Sequence, residues 1–167
     1  MNPSIAKTLL TPPQVRPPQE LLSSDSFLLK RLGMLAKERA FQAFHATGLS
    51  PYHHAVLAAL DEEARETQAT IADALGYDRS QLVGLLDELE TRGLIIRQRD
   101  SDDRRRHLVS LTAGGKETLT TLRAIVRDLE HELFSPLDVA DRETLHALLL
   151  KLAIHHDPRC DAGRGTA

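Results

Sequence analysis

Apolar and polar positions alternate along this chain with two different periods, and the change of period marks its central region. Leu82, Leu85, Leu86 and Leu89 recur at i, i+3, i+4 and i+7, which predicts a helix with one buried stripe. Asp78 is its expected N-cap, with Gln81 spaced to reach back to it, and Gly93 ends it in a left-handed conformation. The opposite face carries Arg79, Ser80, Gln81, Val83, Gly84 and Glu88. A shorter helix precedes it, Gln68 to Leu75, capped by Thr67 and broken by Gly76, with Ile71, Ala72 and Leu75 inward. Two short helices joined by a Gly-containing turn predict a helix-turn-helix. Beyond Gly93 the pattern becomes strand-like. Leu94-Ile95-Ile96 and Leu108 to Leu111 flank the segment RQRDSDDRRRH, too charged to bury, so a protruding hairpin is expected. Helix-turn-helix plus hairpin is a winged helix.

The flanks predict further helices. Residues 1–22 hold five of the eight prolines, so a disordered or partly extended arm is expected rather than a stable helix; Ile5, Leu9, Leu10 and Val15 are apolar enough to dock it on a partner subunit. Ser24 or Asp25 caps a helix to about Ala46 whose apolar residues cover more than one stripe. Ser50-Pro51 starts another, to about Leu60, and residues 61–66 form an acidic connector. Thr112 caps a helix over 113–134, despite the weak Gly114-Gly115 start. A last helix, opened by Asp138 or Asp141, runs to about His156 with Leu145, Leu148, Leu149, Leu150, Leu152 and Ile154 nearly encircling it. So much apolar surface on terminal helices has no partner in a small domain, and a symmetric dimer supplies one. Residues 157–167 read as a flexible tail. The fold class is therefore mainly α with a small β-hairpin wing: a winged helix-turn-helix with N- and C-terminal dimerisation helices. The arm occupies 1–22 and the domain 23–156, with dimerisation helices at 23–46 and 113–156 around a DNA-binding winged helix at 50–112.

Charge separates function from fold. From Arg92 to Arg106 there are six arginines and three aspartates, locally +3, whereas the whole chain carries −3. A basic projection on an acidic protein suits phosphate, although most charge runs are only solvated loops; its attachment to a helix-turn-helix favours double-stranded DNA. The residues expected at DNA are Thr67 and Gln68 on the first helix, Arg79, Ser80, Gln81, Val83 and Gly84 on the second, and Asp103, Arg104, Arg105 and Arg106 in the wing.

The segment DRSQLVGLLDELETRGLIIRQRDSDDRRRHLVSLTAGG resembles the MarR family of bacterial winged-helix regulators. The likeness rests on Leu89-Glu90 before Arg92-Gly93-Leu94, and on the wing from Asp100 to Arg106 followed by Val109-x-Leu111-Thr112-x-x-Gly115. Compatible helices extend it from about Asp25 to His156. Asp103 and Arg105 match the family's Asp-x-Arg, which implies an arginine entering a minor groove and an aspartate holding it. Many members carry Arg or Thr where this chain has Val83-Gly84, and a basic residue in place of Glu88, so the operator sequence is not inherited. The resemblance further implies a homodimer on a palindromic operator. It also implies relief of repression by a small aromatic or phenolic effector, bound between dimerisation helices and reading head. Phe41, His45, Tyr52 and His53 are the candidate lining residues, although aromatics at helical spacing are more often core.

Other chemistry finds little support. Six aromatics and no Trp argue against a stacking platform for single strands. A single cysteine, Cys160, excludes an internal disulfide framework and fits a reducing cytoplasm; its place near the C-terminus differs from the N-terminal reactive cysteine of the family's peroxide sensors. Adjacent His53-His54 and His155-His156 point apart on a helix, so no metal site is expected, a metal-responsive regulator remaining the lesser reading. No nucleophile with base and orienting acid and no phosphate-cradling glycine loop is visible, so neither enzyme nor cofactor is expected. No apolar run approaches the roughly 18 residues of a membrane span, and no secretory signal opens the chain. The rival from another class is a winged-helix module that binds protein and not DNA.

Overall fold

The computed structural model describes residues 16–62, 66–100 and 107–161. The chain divides into two compact units, one up to Lys37 and one from Glu38 onward, with the boundary inside a long helix.

The first unit holds a short helix α1 (Gln19–Leu22) and most of α2 (Asp25–Phe44). One helical turn, 19–22, stands at the end of the stretch expected to hold no stable helix. Pro18 stands at the N-cap, where a missing N–H costs nothing, so it delimits this turn rather than forbidding it. Ser24 caps α2, its Oγ accepting the Phe27 N–H at 3.4 Å. Leu28, Leu29, Leu32, Met34 and Leu35 are all exposed in the chain by itself.

In the second unit α2 ends at Phe44 and passes through a 3-10 turn (His45–Thr47) to Gly48, whose φ of 65° is left-handed. There follow α3 (Pro51–Glu62), β1 (Glu66–Thr67), α4 (Gln68–Leu75), α5 (Arg79–Thr91), β2 (Ile95–Arg99), β3 (His107–Leu111), α6 (Ala113–Leu133) and α7 (Val139–His156). The sheet is antiparallel with order β1-β3-β2, so the expected hairpin gains a third strand from Glu66, read as the end of a connector, and Thr67, read as a helix cap. Glu66 pairs with Val109 and Thr67 with Leu108, a two-residue contact too short to carry any period in sequence. The wing strands pair from Ile95–Leu111 out to Arg99–His107.

The core runs through the middle of the chain and stops there. Phe44, Val56, Leu57, Leu60, Ile71, Leu82, Leu86, Leu89, Ile95, Val109, Leu119 and Leu122 are fully buried. Each buried leucine contributes about 1.5–3 kcal/mol, so the stripe of α5 fixes that helix firmly on α3 and β2. None of α7 is buried within the chain, and Leu148, Leu149, Leu150, Leu152 and Ile154 all face outward. The tail is less detached than expected. Residues 158–160 form a 3-10 turn, and Arg159, oriented by Asp157 at 2.7 Å, directs a guanidinium nitrogen to the Asp73 carbonyl at the end of α4, 3.4 Å away. That is a cation at a helix C-terminus, where the peptide dipoles favour it.

Two backbone devices set the reading head. After α5 the Gly93 N–H bonds to the Glu90 carbonyl at 2.8 Å and the Leu94 N–H to the Leu89 carbonyl at 3.0 Å, with Gly93 at φ 69°. This Schellman pattern turns the chain directly into the wing. Gly115 is the second. A Cβ there would lie 2.1 Å from the Leu94 carbonyl oxygen, so only glycine lets α6 start against the root of β2. The apparently weak start of α6 is a close-packing requirement.

Candidate nucleic-acid interface

The interface is built on α5. Asp78 caps it, its carboxylate accepting the N–H groups of Ser80 at 2.8 Å and Gln81 at 3.4 Å. The Ser80 hydroxyl also bonds to that carboxylate. These bonds, the hydroxyl first, hold the Asp78 carboxyl below the usual range, so the cap stays ionised. With the leucine stripe packed inward, Arg79, Ser80, Gln81, Val83 and Gly84 all lie on the exposed side, as their spacing predicts. Val83 is 42% exposed, an unusual solvent face for a branched apolar residue. Nothing stands within 4 Å of a Cβ built on Gly84.

Gln68 at the start of α4 meets this surface. Gln68 and Ala69 line a recess of about 240 Å³ with Arg79, Leu82 and Val83. Thr67 is less available: its Oγ accepts the Thr70 N–H at 3.2 Å, and the Thr67 N–H donates to the Thr70 hydroxyl at 3.0 Å, a reciprocal capping box. Asp103, Arg104, Arg105 and Arg106 lie outside the described residues.

Two arginines of the basic segment serve the fold. Arg92 donates to the Gly48 carbonyl at 2.7 Å. Arg97 donates through Nε to Glu90 at 2.8 Å and pairs through its terminal nitrogen with Asp87. Counting charge along the sequence treats all six as equivalent, whereas Arg92 and Arg97 are engaged within the fold.

The four expected effector residues separate. Phe41 and Tyr52 meet edge to face, centroids 5.6 Å apart, and Tyr52 meets Tyr77 in the same way, also at 5.6 Å. Tyr77, in the turn between α4 and α5, was missed. Its N–H bonds to the Ala72 carbonyl at 3.0 Å, and an apolar residue just after a helix-ending glycine is a recognisable signal for such a docked ring. Burial, and then Tyr52, pushes the Tyr77 hydroxyl up in pKa. His53 is only 4% exposed and acts as an internal cap: Nδ1 accepts the Ser50 N–H at 3.0 Å. Its Nε2 lies 3.1 Å from a Glu88 carboxylate oxygen, within ion-pair range but out of line for a hydrogen bond. Burial dominates and lowers the imidazole pKa, with Glu88 opposing. His45 is exposed in the 3-10 turn. A wider recess of about 620 Å³ opens between α2 and α6, lined by Arg39, Gln42, Ala43, Ile125, Asp128, Leu129 and Glu132, none of them an expected effector residue.

Among the described residues no group of three or more His, Cys, Asp or Glu is placed to hold a metal ion. None of the described helices is long and apolar enough to cross a membrane.

Short helices joined at a glycine turn, an exposed polar face on the second, and a hairpin rooted at its end define a winged helix-turn-helix, a nucleic-acid-binding class. Comparison with known proteins narrows the class. A sequence profile of the MarR family matches residues 47–106. A candidate transcriptional regulatory protein for the hcr operon of Thauera aromatica is 31% identical over 124 residues, spanning 73% of this chain and 75% of that protein. The transcriptional repressor CouR bound to a 23-mer DNA duplex superimposes with a TM-score of 0.76 at 32% identity, covering 83% of this chain and 99% of CouR. CouR from Rhodococcus jostii RHA1 bound to p-coumaroyl-CoA gives 0.70 at 32% identity, covering 81% and 96%. The chain belongs to the MarR family of winged-helix, DNA-binding transcriptional regulators.

Proposed function

We propose that this protein is a cytoplasmic homodimeric repressor that binds a palindromic operator and is released by a small aromatic or phenolic ligand. The exposed face Arg79 to Gly84 above a buried leucine stripe carries the reading: a rigid helix presenting cationic, amide and methyl groups suits a major groove. Arg79, Ser80 and Gln81 offer hydrogen bonds, and Val83 offers methyl contact to a thymine. Gln68, beside Arg79 at the same recess, reaches the flanking backbone, while Thr67 serves by fixing the start of that helix through its capping box with Thr70. Arg104, Arg105 and Arg106 take phosphate and minor groove, with Asp103 steadying Arg105. The outward leucines of α2 and α7 supply the dimer's apolar surface. For the effector, the support is the aromatic row Phe41–Tyr52–Tyr77 together with the relative that binds p-coumaroyl-CoA; His45 and His53 stand nearby in sequence and are secondary.

A footprint over the DNA upstream of the protein's own gene tests the reading, since regulators of this kind often act there. Protection of a palindrome, relieved by aromatic acids or their coenzyme A thioesters, is the expected result. The triple variant Arg104→Ala/Arg105→Ala/Arg106→Ala should flatten the dependence of log K on log salt by about 0.9 for every phosphate that these arginines no longer neutralise. Full binding and an unchanged slope in that variant would favour a protein-interaction module instead.

A further inference from the structure

The helix offered to DNA is acidic. Over Arg79–Thr91 it carries one arginine against Asp87, Glu88 and Glu90. Asp87 lies one turn beyond Val83 and Gly84, on the same exposed side, and its side chain is 58% accessible. The helix C-terminus adds the negative end of the peptide dipoles. Left alone, this half of the helix would repel a phosphate backbone.

Each of these carboxylates has a partner on the scaffold behind it. Glu88 faces the buried His53 imidazole at 3.1 Å. Asp87 and Glu90 share Arg97, whose side chain is only 18% exposed. Arg97 follows Ile95 at the strand period, so it points to the same side of β2 as that buried residue, toward α5. Its Nε and terminal nitrogen both reach Glu90, at 2.8 and 2.6 Å, while the terminal nitrogen also takes Asp87. The two carboxylates sit three positions apart on one helix face, so a single planar guanidinium spans both.

We propose that Arg97 is an internal counter-ion of the DNA-binding surface: a positioning residue that masks Asp87 and Glu90 from phosphate without touching DNA itself. The inference rests on the DNA-binding reading above and adds how an acidic reading helix tolerates a polyanion. It also explains why net charge along the wing overstates the charge available to DNA. Arg97 is consumed within the protein, and its role is to subtract repulsion rather than to add attraction.

The test compares three variants of the full chain on mixed-sequence duplex and on the duplex protected in the footprint. Arg97→Gln should weaken both by about tenfold or more, because repulsion of phosphate is blind to sequence. Adding Asp87→Asn and Glu90→Gln should restore wild-type affinity, since nothing is then left to mask. Asp87→Asn/Glu90→Gln with Arg97 intact should bind at least as tightly as wild type. This variant keeps the test open even if Arg97→Gln misfolds, which the melting temperature reports. A triple variant as weak as Arg97→Gln, a double variant weaker than wild type, or a folded Arg97→Gln that binds normally would each overturn the proposal. Wild-type protein that binds neither duplex would instead defeat the functional reading on which it stands.

Discussion

Two glycines at the reading head should respond to alanine in opposite directions, and the structure sets both magnitudes. Gly84 lies inside α5 with open space around a new Cβ. Alanine there removes the backbone entropy cost of glycine in a helix, about 0.8–1.0 kcal/mol, and in a domain of this size that raises the melting temperature by about 2–4 °C. Gly115 lies in the first turn of α6, where the Cβ would sit 2.1 Å from the Leu94 oxygen. That oxygen already accepts the Thr112 N–H and hydroxyl, both at 3.1 Å, so it cannot retreat without loosening them. Overpacking costs about 1–3 kcal/mol and a weakened hydrogen bond about 0.5–1.5, against the same propensity gain, leaving Gly115→Ala destabilised by about 1–3 kcal/mol. Its melting temperature should fall by about 3–10 °C. Calorimetry of the pair, with operator titrations alongside, checks the reasoning. Gly84→Ala should melt higher yet bind more weakly, because a methyl group would occupy space used by DNA. A lower melting temperature for Gly84→Ala would refute the open face, and unaltered affinity would refute close backbone approach.

Arg79→Ala should lose about 1–3 kcal/mol on the preferred operator and relax one base position, as for a bidentate contact to guanine; uniform weakening on every operator variant would make it a phosphate contact. His53 accepts a hydrogen bond through Nδ1, and burial lowers its pKa below the ordinary 6.5. The unfolded chain therefore takes up the proton first, and stability should fall as pH drops from 6.5 toward the folded value. His53→Gln keeps an acceptor for the Ser50 N–H and should flatten the acid limb of a melting-temperature profile; His54, lowered by burial and then by Arg123, retains part of it. An identical limb would show that His53 does not titrate there. Leu148→Glu/Leu152→Glu, one turn apart on the outward face of α7, should yield monomers in sedimentation that lose operator binding; an intact dimer would place the interface elsewhere.

Legibility in the sequence followed the range of the interactions. The leucine stripe of α5, the caps at Thr67, Asp78 and Thr112, and the stop at Gly93 are local, and all are where their spacing predicts. β1 was not legible because two residues carry no period and its partner is more than forty positions away. The tail contact of Arg159 with the end of α4 spans 86 positions and is no more legible. At the interface, the exposed set on α5 could be read from one helix. The assignment of Arg92 and Arg97 to the fold could not, because it depends on which carbonyl or carboxylate the fold brings beside them. At Gly115 the propensity cost is local and visible, while the close approach that requires glycine is not.

The aromatic row gives the effector reading a physical scale. Phe41 on α2, Tyr52 on α3 and Tyr77 in the reading-head turn form two consecutive edge-to-face contacts. Such contacts contribute about 0.5–1.5 kcal/mol each beyond simple burial, so the row holds about 1–3 kcal/mol. Coupling between an effector and a distant ligand is typically about 1–3 kcal/mol, or roughly 5–150-fold in affinity. On the effector reading proposed above, an aromatic ligand inserted at Phe41 or Tyr52 would replace one ring contact with its own and leave Tyr77 to reorient. Tyr77 is flanked by Gly76, which ends α4, and Asp78, which caps α5, so on that reading its reorientation would act on the angle between the two helices. In the proposed dimer that angle would set the separation of two reading helices, and both half-sites would have to fit at once. Ring contacts of this size are comparable with a typical coupling energy, and on the same effector reading release would need no contact between ligand and DNA.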